Sequence, residues 1–226
     1  MFFHIFCNEK TMTIVSDQCM KILFSGLYDK LEAVYCFLTG AKHDIDNIEK
    51  LVISMGKKFI VKEKGENDTT FERFTLLKIK PLIKPEDKLL YIHSKGVSKD
   101  VGVNAVYWWR SWMEYFLIAK FKKCLEELDN HDIVGVNYSA ESIGPHFSGN
   151  FWWATGKYYL SLPDTIGPEY NDPETYVFSK NPKHVDVCPG IHDIRLYWRD
   201  MLPNGYVDKE SSNEITMPVK YVNDAI

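Results

Sequence analysis

His93-Ser94-Lys95-Gly96 sets an imidazole, a hydroxyl and an ammonium side by side, ahead of a glycine. A lysine there meets a phosphate as a point charge. The missing side chain of Gly96 lets backbone N–H groups approach an anion closely. Polar groups close other apolar runs in the same way: Cys7-Asn8, the stretch from Lys64 to Asn67, and Asn137. Asn and Ser side chains hydrogen-bond a base or a ribose. Taken singly, such residues are ordinary turn chemistry. Placed at the ends of successive strands, they describe one ligand-binding edge. No Gly-x-Gly-x-x-Gly follows the first apolar run, and there is no Walker A lysine, Gly-x-Ser-x-Gly elbow or His-Glu-x-x-His pair. Dinucleotide oxidoreductases, P-loop NTPases, serine hydrolases of the elbow type and zincins are thereby set aside.

The elements that must hold these groups follow from periodicity. Apolar runs predict strands over 2–7, 32–38, 58–62, 88–93 and 132–138, with a late strand over 184–188. Between them, helices are predicted over 13–31, with a weak spot at Gly26, over 44–55 with Asp44 as N-cap, and over 69–83, where Pro81 ends or kinks the last turn. The longest helical signal is 103–128, with Trp109, Trp112, Met113, Phe116, Phe121, Cys124 and Leu128 near one face. A mostly apolar stretch follows at 146–155, then short helices at 157–162 and 191–201. Asp172-Pro173-Glu174 reads as a helix start, with Asp at the N-cap and Pro in the first turn. Strands alternating with helices predict an α/β fold: a mostly parallel central sheet with helices on both faces. One domain over 1–202 is expected, followed by a polar, poorly patterned extension over 203–226.

Composition narrows the function classes. With 226 residues the chain can bury a sizeable core without a disulfide or metal staple. Lys and Arg total 27 against 31 Asp and Glu, a net charge of −4, so nucleic acid is not an expected partner. Five cysteines without a Cys-x-x-Cys pair predict reduced thiols and a cytoplasmic location. The first ten residues lack the basic start of a signal peptide, and no apolar run is long enough for an integral membrane segment. The aromatic share of 14% suits rings that stack on sugars or bases, and equally a large core.

A family resemblance rests on two motifs. One is Leu90-Tyr91-Ile92-His93-Ser94-Lys95-Gly96-Val97, followed by Trp109-Arg110-Ser111-Trp112-Met113-Glu114-Tyr115-Phe116. The other is His146-Phe147-Ser148-Gly149-Asn150-Phe151-Trp152-Trp153-Ala154, followed by the stretch from Tyr158 to Pro163. Over residues 1–200 the chain resembles GT-A-fold, nucleotide-sugar-dependent glycosyltransferases, which occur in bacterial polysaccharide clusters and in large DNA viruses. The resemblance implies a single GT-A-like domain that moves a hexose or deoxyhexose from a nucleotide diphosphate sugar, UDP first, to a hydroxyl of a glycan or glycoprotein acceptor. If the source is viral, the location is the host cytoplasm.

The same resemblance distributes roles. Phe6, Cys7, Asn8, Lys64 and Asn67 would hold the base and ribose. His93, Ser94, Lys95 and Gly96 would meet the diphosphate, where most GT-A enzymes carry a metal-binding Asp-x-Asp. Either Lys95, helped by Arg110, supplies the cation, or His93 and His192 ligate Mn²⁺ or Mg²⁺. Ser148, Gly149, Asn150 and one of Trp152 and Trp153 would line the sugar or acceptor; adjacent strand residues face opposite ways, so the other tryptophan belongs to the core. Inversion needs a carboxylate base, for which Glu174 comes first, Asp193 second and Asp172, a cap, third. Two other readings compete: a catalytically inactive GT-A-like module that binds a nucleotide or glycan, and a sugar nucleotidyltransferase, against which residues 8–20 contain no glycine.

Overall fold

Phe2 and Phe3 are both buried, yet they belong to different cores on opposite sides of one sheet. The same division separates Tyr91 from Leu90 and Ile92, and Trp152 from Trp153. Strand residues alternate in direction, so continuous apolar runs require a sheet covered on both faces. The computed structural model describes residues 1–97 and 103–188 and has that layered architecture. The helix expected at 191–201 and the extension at 203–226 lie outside the described residues.

In chain order the elements are β1 (Phe2–Cys7), α1 (Thr11–Phe24), α2 (Leu27–Lys30), β2 (Val34–Gly40), α3 (Lys42–Ser54), β3 (Phe59–Glu66), α4 (Arg73–Leu76), β4 (Lys88–His93), α5 (Val103–Glu114), α6 (Phe121–Glu127), β5 (Ile133–Gly135), β6 (Tyr138–Ser139), β7 (His146–Phe147), β8 (Trp152–Thr155), α7 (Gly156–Ser161), α8 (Asp172–Thr175) and β9 (His184–Asp186). The central sheet has the order β3-β2-β1-β4-β8-β5-β9. β1 to β4 run parallel, β5 and β9 run parallel, and β8 is antiparallel to both β4 and β5. α1, α3, α5 and α6 cover one face through Val15, Val52, Met113 and Cys124, among others. α4 and α7 cover the other through Phe74, Leu76, Tyr158 and Tyr159.

Three expected helices differ in form. The one over 13–31 divides into α1 and α2 at Gly26, whose φ of 79° leaves the helical region. The one over 69–83 is reduced to α4 and a 3₁₀ turn at Lys80–Leu82. Asp68 binds the amide and hydroxyl of Thr70, holding an open turn where a helix would begin, and Pro81 removes a donor further on. The long helix changes pitch at a π turn, Tyr115–Ala119, where the Lys120 amide reaches back to the Tyr115 carbonyl at 2.9 Å. The widened turn presents the Leu117 carbonyl to the Trp153 indole N–H at 2.8 Å. α3 starts at Lys42 with no side-chain cap, so Asp44 serves the first turn, where a carboxylate complements the helix dipole. α8 likewise opens with Asp172 inside its single turn and Asn171 in the cap position.

Candidate functional site

The chain winds outward from β1 to β2 to β3, then returns to place β4 on the other side of β1. Such a reversal leaves a crevice beyond the C-terminal ends of the two central strands, where backbone groups and side chains are open to a ligand. Asn8 and the turn at 94–97 occupy that place. The Asn8 amide nitrogen donates to the Val97 carbonyl at 2.8 Å, and its oxygen accepts from the Lys10 N–H at 3.0 Å and the Thr11 hydroxyl at 3.0 Å. Ser94 is buried and holds the two strands together: its hydroxyl accepts from the Phe6 N–H at 2.9 Å, and its own N–H donates to the His4 carbonyl at 2.9 Å. These side chains fix the shape of the turn that carries Lys95. The ammonium of Lys95 lies 3.7 Å from the centre of the Trp109 ring, a cation–π contact that holds the charge close to the turn.

Arg110 is placed differently from its expected role at the diphosphate. It is buried in α5, donating to the Lys95 carbonyl at 3.0 Å and lying 3.3 Å from Glu114 and 3.4 Å from Asp17. It positions the turn from behind. Cys7 is also a packing residue: burial, aided by the Asp44 charge, pushes its thiol up to about 12. Lys64 pairs at 2.9 Å with Glu49 of α3, on a strand separated from β1 by β2, and Asn67 ends that strand with its N–H on the Gly40 carbonyl at 2.8 Å. Phe6 is 36% exposed beside the crevice, and Gly96 lies against Val106 and Arg110.

On the opposite face of the sheet, a polar node gathers residues from four separate parts of the chain. The Glu72 carboxylate accepts from the Asn150 amide nitrogen and, at 3.3 Å, from the Tyr91 hydroxyl. Its other oxygen lies 3.5 Å from His93 Nε2, which in turn meets the Gly149 carbonyl at 3.0 Å. His4, paired in register with His93, bonds the Thr75 hydroxyl through Nδ1 at 2.8 Å. Burial lowers His93 to about 3, with the Lys95 charge adding to it, and lowers His4 to about 4 against the opposing pull of Glu72. Both rings are therefore neutral at pH 7, and His93 Nε2–H donates to Gly149. Burial also raises the Glu72 carboxyl above the ordinary carboxylate range, opposed by His4, Lys95 and its hydrogen bonds. Sequence reading missed His4, Glu72 and Tyr91. A histidine inside the apolar run Phe2-Phe3-His4-Ile5 was the available signal.

The 148–150 segment joins the node to the crevice. Gly149 has a φ of 96°, and a Cβ there would lie 2.5 Å from Met113 Sδ and 3.1 Å from Trp109 Cζ2, so only glycine lets this backbone lie against α5. The Ser148 N–H donates to the carbonyl of Asn137, which turns the chain beyond β5 at a φ of 58°. Asn150 is fixed on both sides: its oxygen accepts from the Trp152 indole at 2.8 Å, and its nitrogen also meets the Pro173 carbonyl at 3.3 Å. That contact ties α8, through Pro173, to Asn150. Trp152 and Trp153 do face opposite ways, but the expectation that one meets a ligand is corrected: they are 1% and 2% exposed, each inside its own core. The two faces of the sheet are both covered, so alternation alone could not expose either ring.

Asp193 and His192 lie outside the described residues. Among the described residues, no group of three or more His, Cys, Asp or Glu side chains could hold a metal ion. Of the candidate pair His93 and His192 only His93 is described, and its Nε2 is committed to the Gly149 carbonyl at 3.0 Å with a Glu72 oxygen at 3.5 Å. Among the described residues, no helix is long and apolar enough to cross a membrane.

Comparison with known proteins adds a family. The model of a family described as "Domain of unknown function (DUF8361)" matches residues 2–180. No curated protein matches the chain. Among solved structures, 4-diphosphocytidyl-2C-methyl-D-erythritol synthase from Anaerococcus prevotii DSM 20548 aligns at 11% identity and a TM-score of 0.46, over 87% of this chain and 94% of that one. The apo form of the glycosyltransferase GlyE from Streptococcus pneumoniae TIGR4 aligns at 14% identity and a TM-score of 0.39, over 81% of this chain and 44% of that one. A second structure of GlyE from that strain gives 17% identity and 0.34, over 71% and 36%.

Proposed function

The chain belongs to the DUF8361 family, and from that premise we propose that it transfers a sugar from a nucleoside diphosphate donor, UDP-linked first, to an acceptor hydroxyl. The observation that supports this reading is the switch-point crevice between β1 and β4, where Asn8 and Ser94 hold a turn that carries Lys95. A departing diphosphate gains negative charge in the transition state, and a cation already fixed in place stabilises it without reorganisation. Lys95, braced on Trp109 and supported by Arg110 through its carbonyl, supplies that charge. Asn150, 1% exposed and committed to Trp152, Glu72 and Pro173, acts from behind by fixing the 148–150 segment rather than by touching the sugar. Glu174, next in the chain after the Pro173 that contacts Asn150, takes the acceptor proton with inversion. The His-Ser-Lys turn also favours a second reading, a nucleotide-binding module without turnover.

Two variants test the roles. Lys95→Ala is expected to weaken UDP binding about tenfold, or 1.4 kcal/mol, in a calorimetric titration. Its stability cost stays within about 1 kcal/mol, the size of one cation–π contact. Unchanged UDP affinity with a large fall in melting temperature would make Lys95 a packing residue. Glu174→Gln is expected to keep UDP affinity and lose about 10²-fold or more in transfer, assayed as UDP release from UDP-sugars with an oligosaccharide acceptor. A fully active Glu174→Gln chain removes Glu174 as the base, and UDP binding with no turnover in the parent favours the binding module.

A further inference from the structure

With Trp152 and Trp153 buried, a ring that meets a sugar must come from elsewhere, and the described residues hold one pair of aromatic rings that are both more than half exposed. Phe71 is 55% exposed and Tyr170 71%. Their ring centres are 6.0 Å apart and their planes cross at 78°. We infer that Phe71 and Tyr170 form a carbohydrate subsite for the acceptor, which rests on the transfer reading above and names where its second substrate sits.

Both rings are held by built structure. Phe71 adopts a φ of 55°, a left-handed conformation that a bulky residue rarely takes. The turn anchored by Asp68 sets it there, immediately before Glu72. Tyr170 lies in a segment clasped by Arg73, which donates to the Gly167 carbonyl at 2.7 Å and to the Glu169 carbonyl and lies 3.9 Å from Asp172. The same segment continues to Pro173 and its contact with Asn150. Each ring is thus tied to the node, one through Glu72 and the other through Pro173.

The surroundings select the ligand. Crossed rings offer one face and one edge, a corner that suits the C–H face of a chair-shaped sugar and cannot clamp a flat base between parallel planes. Glu169 precedes Tyr170 and Asp172 follows it by two residues, so carboxylates that accept hydrogen bonds from hydroxyl groups flank that ring in the chain, with Arg73 3.9 Å from Asp172. A neutral, polyhydroxylated acceptor matches both features.

The test measures two ligands on one set of proteins. The parent, Phe71→Ala, Tyr170→Ala and Phe71→Gly are applied to an array of neutral hexose and N-acetylhexosamine oligosaccharides, with UDP titrated in parallel. Tyr170→Ala and Phe71→Ala are expected to lose about tenfold or more in glycan binding, as truncated aromatic anchors do, with UDP affinity kept. Phe71→Gly fits the left-handed conformation and is expected to hold or raise the melting temperature while losing glycan binding equally. Glycan binding unchanged in all three variants overturns the subsite, as does a parent that binds no glycan. Ring-dependent glycan binding by a parent that takes no UDP keeps the subsite and overturns the donor reading instead.

Discussion

Glu114→Ala is expected to lower stability by about 3–5 kcal/mol, because it strips the counter-charge from a buried guanidinium. Glu114 is 1% exposed, and Arg110 beside it is 4% exposed. One Glu114 oxygen meets Lys21 at 2.6 Å, and the other lies 3.3 Å from Arg110 Nε; Asp17 completes the group at 2.8 Å from Lys21 and 3.4 Å from Arg110. Burial alone would pull the Lys21 ammonium down, but Glu114 and Asp17 hold it above its ordinary value. With Glu114 gone, Arg110 keeps the Lys95 carbonyl, the distant edge of Asp17 and the Tyr107 ring at 5.5 Å, of which only Asp17 carries a counter-charge. A domain of this kind has about 5–15 kcal/mol in total, so the loss is a large share. Urea unfolding should show a lower midpoint at unchanged slope. Glu114→Gln, which keeps shape and one hydrogen bond, should lose less. UDP affinity should fall as well, since Arg110 holds the turn bearing Lys95. A loss under about 1 kcal/mol would mean that α5 can turn Arg110 out to water.

Acidification from pH 7.5 to 5 is expected to cost about 2 kcal/mol for each of His4 and His93. Both have folded values, about 4 and about 3, below the ordinary 6.5. A depressed histidine contributes stability that is whole above pH 6.5 and is lost as the pH falls towards its folded value, because only the unfolded chain takes up the proton. Glu72 acts with the opposite sign. Its raised carboxyl binds a proton more tightly in the folded state, so falling pH returns part of the loss. The net change should be about 2–4 kcal/mol, read from urea midpoints across that range. His4→Gln should roughly halve the histidine part of the slope, and Glu72→Gln should steepen the fall by removing the offset. A flat stability profile between pH 7.5 and 5 would mean that both rings are hydrated.

The parts of the fold that were legible are those written in local chemistry. Phe2 to Cys7 and Lys88 to His93 end where apolar residues meet Asn8 and Ser94, and the structure starts and stops those strands there. The face through Trp109, Met113, Phe116 and Cys124 is buried as its spacing requires. The reversed direction of β8 had no local mark, because Trp152-Trp153-Ala154-Thr155 reads alike in either direction. The node at Glu72 was hidden for another reason: positions 4, 72, 91, 93 and 150 meet only through the order of strands, which periodicity does not carry. Arg110 was expected to help Lys95 at the diphosphate, and its burial was hidden because Asp17, which with Glu114 makes that burial tolerable, meets it only through the packing of two helices.

β8 also sets a schedule for the growing chain. β1 to β4 can pair as they emerge, but β5 has no neighbour in the sheet until β8 arrives to sit between it and β4. From His93 to Thr155 the ribosome needs roughly 3–12 seconds, at about 5–20 residues per second. Throughout that interval β4, with Leu89, Leu90, Tyr91 and Ile92, presents an unpaired edge to the medium. An open apolar edge is a template for strands of other chains. Crowded polysomes translating this message are therefore the setting in which it is most exposed to aggregation, and slow codons between those two points would lengthen the risk.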